Sequence, residues 1–369
     1  MKTNLRKLFK TRALLPSMVV VLLVLALAAG GVLANPSQAP SSAAAMSILP
    51  AETCTYDGLS NTRTCEFWAV AGTVDLPGWA GMPIWGFTDT DPALGGVSQL
   101  PGPTIIANQG ETVEVILHNN LAENTAMVFP GQEMMPDLNG VAPGGSATYS
   151  FAASHAGTYL YEAGLLPGAQ YQVAMGLYGA LIIRPAIISQ AYGTASTFED
   201  EAVLVLSEID PDLNTSASPA AFDMRDYAPK FNLINGQAYP DTDEIISAAG
   251  NRVLLRFVNA GIEQHSMGML GVDQQIIAVD GSPLAFPYRI VGATIGSGQT
   301  SDRMVLMPNP SPAGGAMFAL YDTSLLLHNN GAAGFGGMLT FISISDGTPP
   351  VTGPTASSVA LSIISPFRI

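Results

Sequence analysis

The chain has 369 residues, 48% of them hydrophobic, with 14 Lys+Arg against 29 Asp+Glu. Five of the basic side chains fall before residue 35, so the rest of the chain carries nine against twenty-nine, a net charge of −20. That sign excludes nucleic acid and anionic membranes as partners, because phosphate binding needs clustered Lys and Arg, and the hydrophobic content excludes a disordered chain.

Residues 1–34 read as an export signal peptide. Lys2, Arg6, Lys7, Lys10 and Arg12 form a basic start, residues 19–29 an apolar core, and Val32-Leu33-Ala34 a cleavage site. The apolar run after Pro16 is short for a membrane span of about 20 residues; an uncleaved N-terminal anchor is the alternative. The expected location is secreted, outside the cytoplasm, with no membrane span after cleavage. Residues 35–51, rich in Ala, Ser and Pro, read as a linker. Cys54 and Cys65, the two cysteines of the chain, flank an Asp57-Gly58 turn signal. In an exported protein they are expected to form a disulfide across a hairpin. So small a loop adds at most about 2–3 kcal/mol.

Short strands follow in order. Residues 66–74 form one, and Trp79 and Trp85 lie in a Gly/Pro-rich connection. Residues 104–107 form another, then the Asn108-Gln109-Gly110 turn, then 111–118, where Val113, Val115 and Leu117 alternate with Thr112, Glu114 and Ile116. Residues 147–151 and 156–161 are strands, and 170–185 close this half. In the second half the strands are 201–206, 251–259, 290–295 and 302–307, with turn signals at Asn235-Gly236 and Asp280-Gly281. Residues 211–230 read as a loop holding a formal glycosylation sequon, Asn214-Thr215-Ser216. Many short strands among 38 Gly and 27 Pro make the chain all-β.

The stretch from Pro101-Gly102-Pro103 through Glu111–Leu117 to Asn120-Leu121 resembles the opening of the first domain of multicopper oxidases, the laccase-like family. The run from Asn235-Gly236 through Asn251–Asn259 to Asp280-Gly281 resembles that family's middle domain. The resemblance implies two tandem cupredoxin-like Greek-key β-sandwich domains, residues 52–186 and 187–345. Residues 346–369 then form a linker and one strand, 357–364, which either opens a truncated Ig-like domain or packs into the preceding one. The family's third domain, which carries further copper ligands, has no counterpart in the sequence.

In the family, the first domain carries two His-x-His pairs that bind copper. The matching positions here are Val128 and Pro130, and Glu162 and Gly164. The strands of the motif are kept and the imidazoles are missing. A blue-copper site needs a Cys and two His, often with an axial Met, and the family's trinuclear cluster uses eight His; this chain has His118, His155, His265 and His328. His265, His328 and Met338 are weak metal candidates. Met127, Met134, Met135 and Met175 lie near the vacated positions, where thioethers could suit Cu(I) or simply fill a core. The expectation is an exported, non-catalytic relative without a cofactor, acting as a binding or surface-structural module toward a small ligand, a cell surface or further copies. The alternative is a copper-dependent oxidoreductase with an atypical or subunit-completed site. A Met-based copper carrier is the third reading.

Overall fold

The computed structural model describes residues 53–309, 316–327 and 334–344. The expected signal peptide, linker and C-terminal strand lie outside these residues, as does His328.

Two β-sandwiches follow each other along the chain. The first is built from β1 (Thr55–Asp57), β2 (Thr62–Leu76), β3 (Trp79–Thr88), β4 (Ile105–Asn108), β5 (Thr112–Asn119), β6 (Met127–Val128), β7 (Ser146–Ala152), β8 (Gly157–Ala163) and β9 (Tyr178–Arg184). One sheet runs β1-β2-β5-β7 with β3 paired to β2, and the facing sheet runs β4-β9-β8-β6. The second sandwich contains β10 (Asp200–Ile209), β11 (Phe231–Ile234), β12 (Ile245–Ser247), β13 (Arg252–Asn259), β14 (His265–Met269), β15 (Gln274–Val279), β16 (Ser282–Ile290), β17 (Gly292–Ile295), β18 (Thr300–Leu306), β19 (Ala316–Asp322) and β20 (Leu339–Ile344). Its sheets run β11-β10-β13-β18-β15-β16 and β12-β20-β19-β14-β17. Each sandwich is mostly antiparallel, but β2–β5, β4–β9, β10–β13 and β12–β20 pair in parallel.

The sequence explains the local structure. In β5, Val113, Val115, Leu117 and Asn119 are buried and the residues between them are not, as the alternation requires. Cys54 and Cys65 are bridged beside the β1–β2 hairpin, as expected. Residues 170–185 depart from the expected single strand. Ala169–Met175 is an α-helix (α1) between Gly168 and Gly176, and only Tyr178–Arg184 is extended. The helix is held through Gln172, which accepts from the Thr125 hydroxyl at 3.0 Å and donates to the Asn124 carbonyl at 2.9 Å. The 211–230 loop also contains a helical turn, Pro211–Asn214 (α2), started by the Asp210 side chain. Asn214 of the sequon is buried and donates to the Pro83 carbonyl at 2.8 Å, which closes it to modification.

β10 is buried at all ten positions, which an ordinary half-exposed strand never is. Ala202, Leu204 and Leu206 face the core of the second sandwich, while Val203 and Val205 join the core of the first, together with Val258 and Ala260. At one end of this apolar seam lies a buried ionic cluster. Arg256 on β13 is completely buried; its Nε donates to Glu201 of β10 and its Nη1 to Asp302 of β18 at 3.2 Å. The first sandwich supplies three further contacts. Thr158 of β8 donates to Asp302 at 2.6 Å and accepts from Arg256 at 3.0 Å, and Arg184 of β9 donates to Glu201 at 2.7 Å. The Tyr192 hydroxyl completes the shell of Asp302 at 2.6 Å. Burial works against the Arg256 charge, but the adjacent Asp302 and Glu201 outweigh it and raise its pKa.

Removing one member of such a cluster leaves its counter-charges buried. Arg256→Ala is expected to destabilise the chain by about 3–5 kcal/mol. Arg256→Met combined with Asp302→Leu and Glu201→Gln is expected to cost far less. Urea unfolding followed by tryptophan fluorescence checks both; equal losses would show that packing volume, not charge, is what Arg256 supplies.

Candidate functional site

The fold brings the four vacated positions together. β6 is an edge strand beside β8, with Met127 opposite Ala163 and Val128 opposite Glu162. The Gly164 amide donates to the Ala126 carbonyl at 2.9 Å, which continues the ladder by one more pair. Val128 is half-buried and Pro130 exposed. Alternation along β8 puts Thr158, Glu162 and Gly164 on the face turned to the second sandwich, while Tyr161 points into the first core against Phe67, Phe87 and Phe129.

The residues at this ledge do not fit copper. A copper centre needs several nitrogen or sulfur donors converging on one point, and Glu162 alone of the four carries a ligating group. A side chain at 164 is also excluded, because a Cβ there would lie 2.8 Å from the Ala126 Cβ and 3.3 Å from its carbonyl carbon. Glu162 itself is half-buried, and among the described residues no hydrogen bond or ion pair engages it. Burial pushes its pKa up to about 7. Among the described residues, no group of three or more His, Cys, Asp or Glu is arranged to hold a metal ion.

Two of the weak metal candidates, His265 and Met338, lie among the described residues. His265 is completely buried with both ring nitrogens occupied: Nε2 lies 2.5 Å from Glu208 and Nδ1 2.9 Å from Asp322. Burial alone would lower its pKa, but the two carboxylates outweigh it and raise the value to about 9. At neutral pH this is an imidazolium donating from both nitrogens, with no lone pair for a metal. Glu208 further accepts the amides of Ile262 and Glu263 at 3.0 and 3.2 Å, so the clamp also fixes the β13–β14 turn. Met338 is buried in the second core among Ile342, Leu320 and their neighbours, and supplies packing rather than a thioether ligand.

The remaining candidates are scattered. Met127 is in the first core, Met175 packs with Ala174 and Leu213, Met134 is partly buried against the first core, and Met135 is exposed. They share no site. His118 stacks on Trp68 with ring centroids 4.8 Å apart and pairs with Glu66 at 2.8 Å, and His155 is exposed in a turn. Arg256, Glu201, Asp302, Glu208 and Asp322 escaped the sequence reading. One signal was available: Arg256 interrupts the otherwise apolar run Val253–Val258, where a charge needs a buried partner.

Residues 88–187 match a family model described as multicopper oxidase. Over this stretch the chain is similar to the multicopper oxidases. It is 28% identical over 281 residues to a laccase of Botryotinia fuckeliana, covering 68% of this chain and 44% of that protein. A multicopper oxidase of Cercospora beticola is 37% identical over 94 residues, 23% of this chain and 14% of that one. The chain thus spans less than half the length of the curated relatives it matches. Among solved structures, the blue copper oxidase of Nitrosomonas europaea superposes with a TM-score of 0.64 at 22% identity, covering 76% of this chain and 85% of that one. That similarity establishes the fold, two tandem cupredoxin-like sandwiches, and nothing of the chemistry.

Two measurements test this geometry. The His265 clamp raises a pKa on folding, so its stabilisation is complete below about pH 6.5 and lost as pH rises through about 9. The stability difference between wild type and His265→Gln should therefore shrink by on the order of 3 kcal/mol between pH 6 and pH 10; a constant difference would mean that the imidazole is neutral. Gly164→Ala should cost about 1–3 kcal/mol in urea unfolding, through its contact with Ala126. A neutral substitution would show that the ledge has room for a ligand side chain.

Proposed function

We propose that this chain is an exported, non-catalytic relative of the multicopper oxidases that serves as a binding or surface-structural module. The observation that carries this reading is the ledge on β6 and β8. The strands that hold the family's two His pairs are intact, but they present Val128, Pro130, Glu162 and Gly164, with position 164 sterically shut. Export is supported by the basic and apolar segments of residues 1–34. Both cores close by apolar packing and charge pairing, which supports a module that holds its shape without a metal.

The retained β6–β8 backbone and the catalytic names of the relatives favour a second reading, a copper-dependent oxidoreductase completed by donors from another subunit. Elemental analysis decides between them. Residues 35–369, reconstituted separately with Cu(II) and Cu(I) and then desalted, are expected to retain less than about a tenth of an equivalent of copper, since Glu162 alone offers a donor at the ledge. Two or more equivalents of Cu(II), with oxygen consumption on a phenolic reductant, would establish the second reading instead. One equivalent of Cu(I) alone would point to the methionines.

A further inference from the structure

The second sandwich carries an open groove of about 680 Å³ on the outer face of the sheet β12-β20-β19-β14-β17. Its floor is a row across three strands: Gly292 of β17 stands opposite Gly268 of β14, and Gly268 opposite Tyr321 of β19. Met267 and Leu320, the sequence neighbours of this row, are buried in the second core, so alternation turns Gly268 and Tyr321 outward. The two adjacent glycines leave bare backbone where a pair of side chains would otherwise stand. A Cβ at 268 would run into the Thr323 methyl, and one at 292 would lie 3.3 Å from the same atom. Around this floor the side chains carry hydroxyls. Ser266 and Thr294 pair two residues along the same face, with their hydroxyls 2.7 Å apart, and the Thr323 amide donates to the Ser266 carbonyl at 2.7 Å. Thr294 and Thr323 are exposed and Tyr321 is half-buried. Among the described residues no hydrogen bond engages the hydroxyl of Tyr321 or Thr323. Leu270 and Val291, 58% and 71% exposed, form an apolar rim.

The chemistry of this lining restricts the ligand. No basic residue lines the groove, and its one carboxylate, Asp273, is already paired with Arg289. Two other open grooves are charged, one with Glu133 and Asp137 and the other with Arg252 and Arg289. A polyanion finds no counter-charge at the glycine floor and meets a net charge of −20 over residues 35–369. A small apolar molecule is also a poor fit, because pockets for such ligands bury most of the ligand's surface and this groove is open. Hydroxyls donate and accept alike, and a Tyr ring offers a flat apolar body beside a polar tip. That combination suits a sugar ring, which has an apolar C–H face and a rim of hydroxyls. Three strands about 4.8 Å apart make the row about 10 Å wide, the reach of a disaccharide, and the open groove lets a longer chain continue past it.

We propose that this groove binds a neutral polysaccharide, with Tyr321 as the stacking wall, Ser266, Thr294 and Thr323 as the hydrogen-bonding hydroxyls, and the Gly268–Gly292 floor admitting the chain. The assignment goes beyond the module reading and does not rest on it: the groove shares no residue with the β6–β8 ledge, so copper uptake and sugar binding fail separately.

The test titrates three neutral hexasaccharides, cellohexaose, maltohexaose and hexa-N-acetylchitohexaose, into the chain by isothermal titration calorimetry, with hexagalacturonate as the anionic control. At least one neutral probe is expected to bind saturably with a Kd below about 1 mM, and hexagalacturonate at least tenfold more weakly. Thr294→Glu, at an exposed position on the edge strand β17, and Tyr321→Ala should each lower the affinity for that probe at least tenfold. The comparison of probes on the wild-type chain and the surface variant Thr294→Glu both stand even if Tyr321→Ala fails to fold. No binding of any neutral probe by about 10 mM, equal binding of hexagalacturonate, or unchanged affinity in Thr294→Glu would overturn the assignment.

Discussion

The chain depends on a charge buried where two sandwiches meet. Arg256 sits on β13 with no exposure to solvent, and its guanidinium is shared between Glu201, Asp302 and the Thr158 hydroxyl. Glu201, Arg256 and Asp302 belong to the second sandwich and Thr158 and Arg184 to the first. The second sandwich pairs Arg256 with both acids, and the first adds Arg184 to Glu201 and Thr158 to Asp302. A cluster of this kind adds little net stability over an apolar seam of the same volume, but it permits only the arrangement in which every charge is paired. The apolar rows of Val203, Val205, Val258 and Ala260 supply the driving force for docking, and the ionic cluster fixes the register.

That division of labour bears on the strands that carry Val128, Pro130, Glu162 and Gly164. Where a metal ties strands from different parts of a fold together, its loss leaves a structural gap. Here the first core closes by itself, with Tyr161 packed among Phe67, Phe87 and Phe129, and its hydroxyl donating to the Pro103 carbonyl at 2.6 Å. In the second sandwich His265 acts as a buried cation between Glu208 and Asp322, a structural use of an imidazole that also removes it from metal chemistry. Position 164 is packed shut rather than left as a cavity.

How much of this the sequence disclosed follows from the range of the forces involved. Alternation in β5 was legible because one face of that strand meets the core and the other meets water. β10 was less so, because both of its faces are covered by partners distant in sequence. The helix Ala169–Met175 was hidden inside an apolar run; its hydrogen bonds go to Thr125 and Asn124, more than forty residues away. The vacated positions were found by their place between recognisable strands, and the structure sets them on one ledge. The role of His265 was out of reach, since Glu208 and Asp322 are each 57 residues from it. A lone His in a strand does not announce whether it faces a metal, water or two acids.

The claim that the two sandwiches form one unit without metal is most directly tested by differential scanning calorimetry of residues 35–369 in excess chelator. A single transition is predicted, with calorimetric and van't Hoff enthalpies in a ratio near one for the whole chain. Two resolved transitions, each with the enthalpy of about half the chain, would contradict the account, because the buried charges of Arg256, Glu201 and Asp302 would then survive exposure on one side.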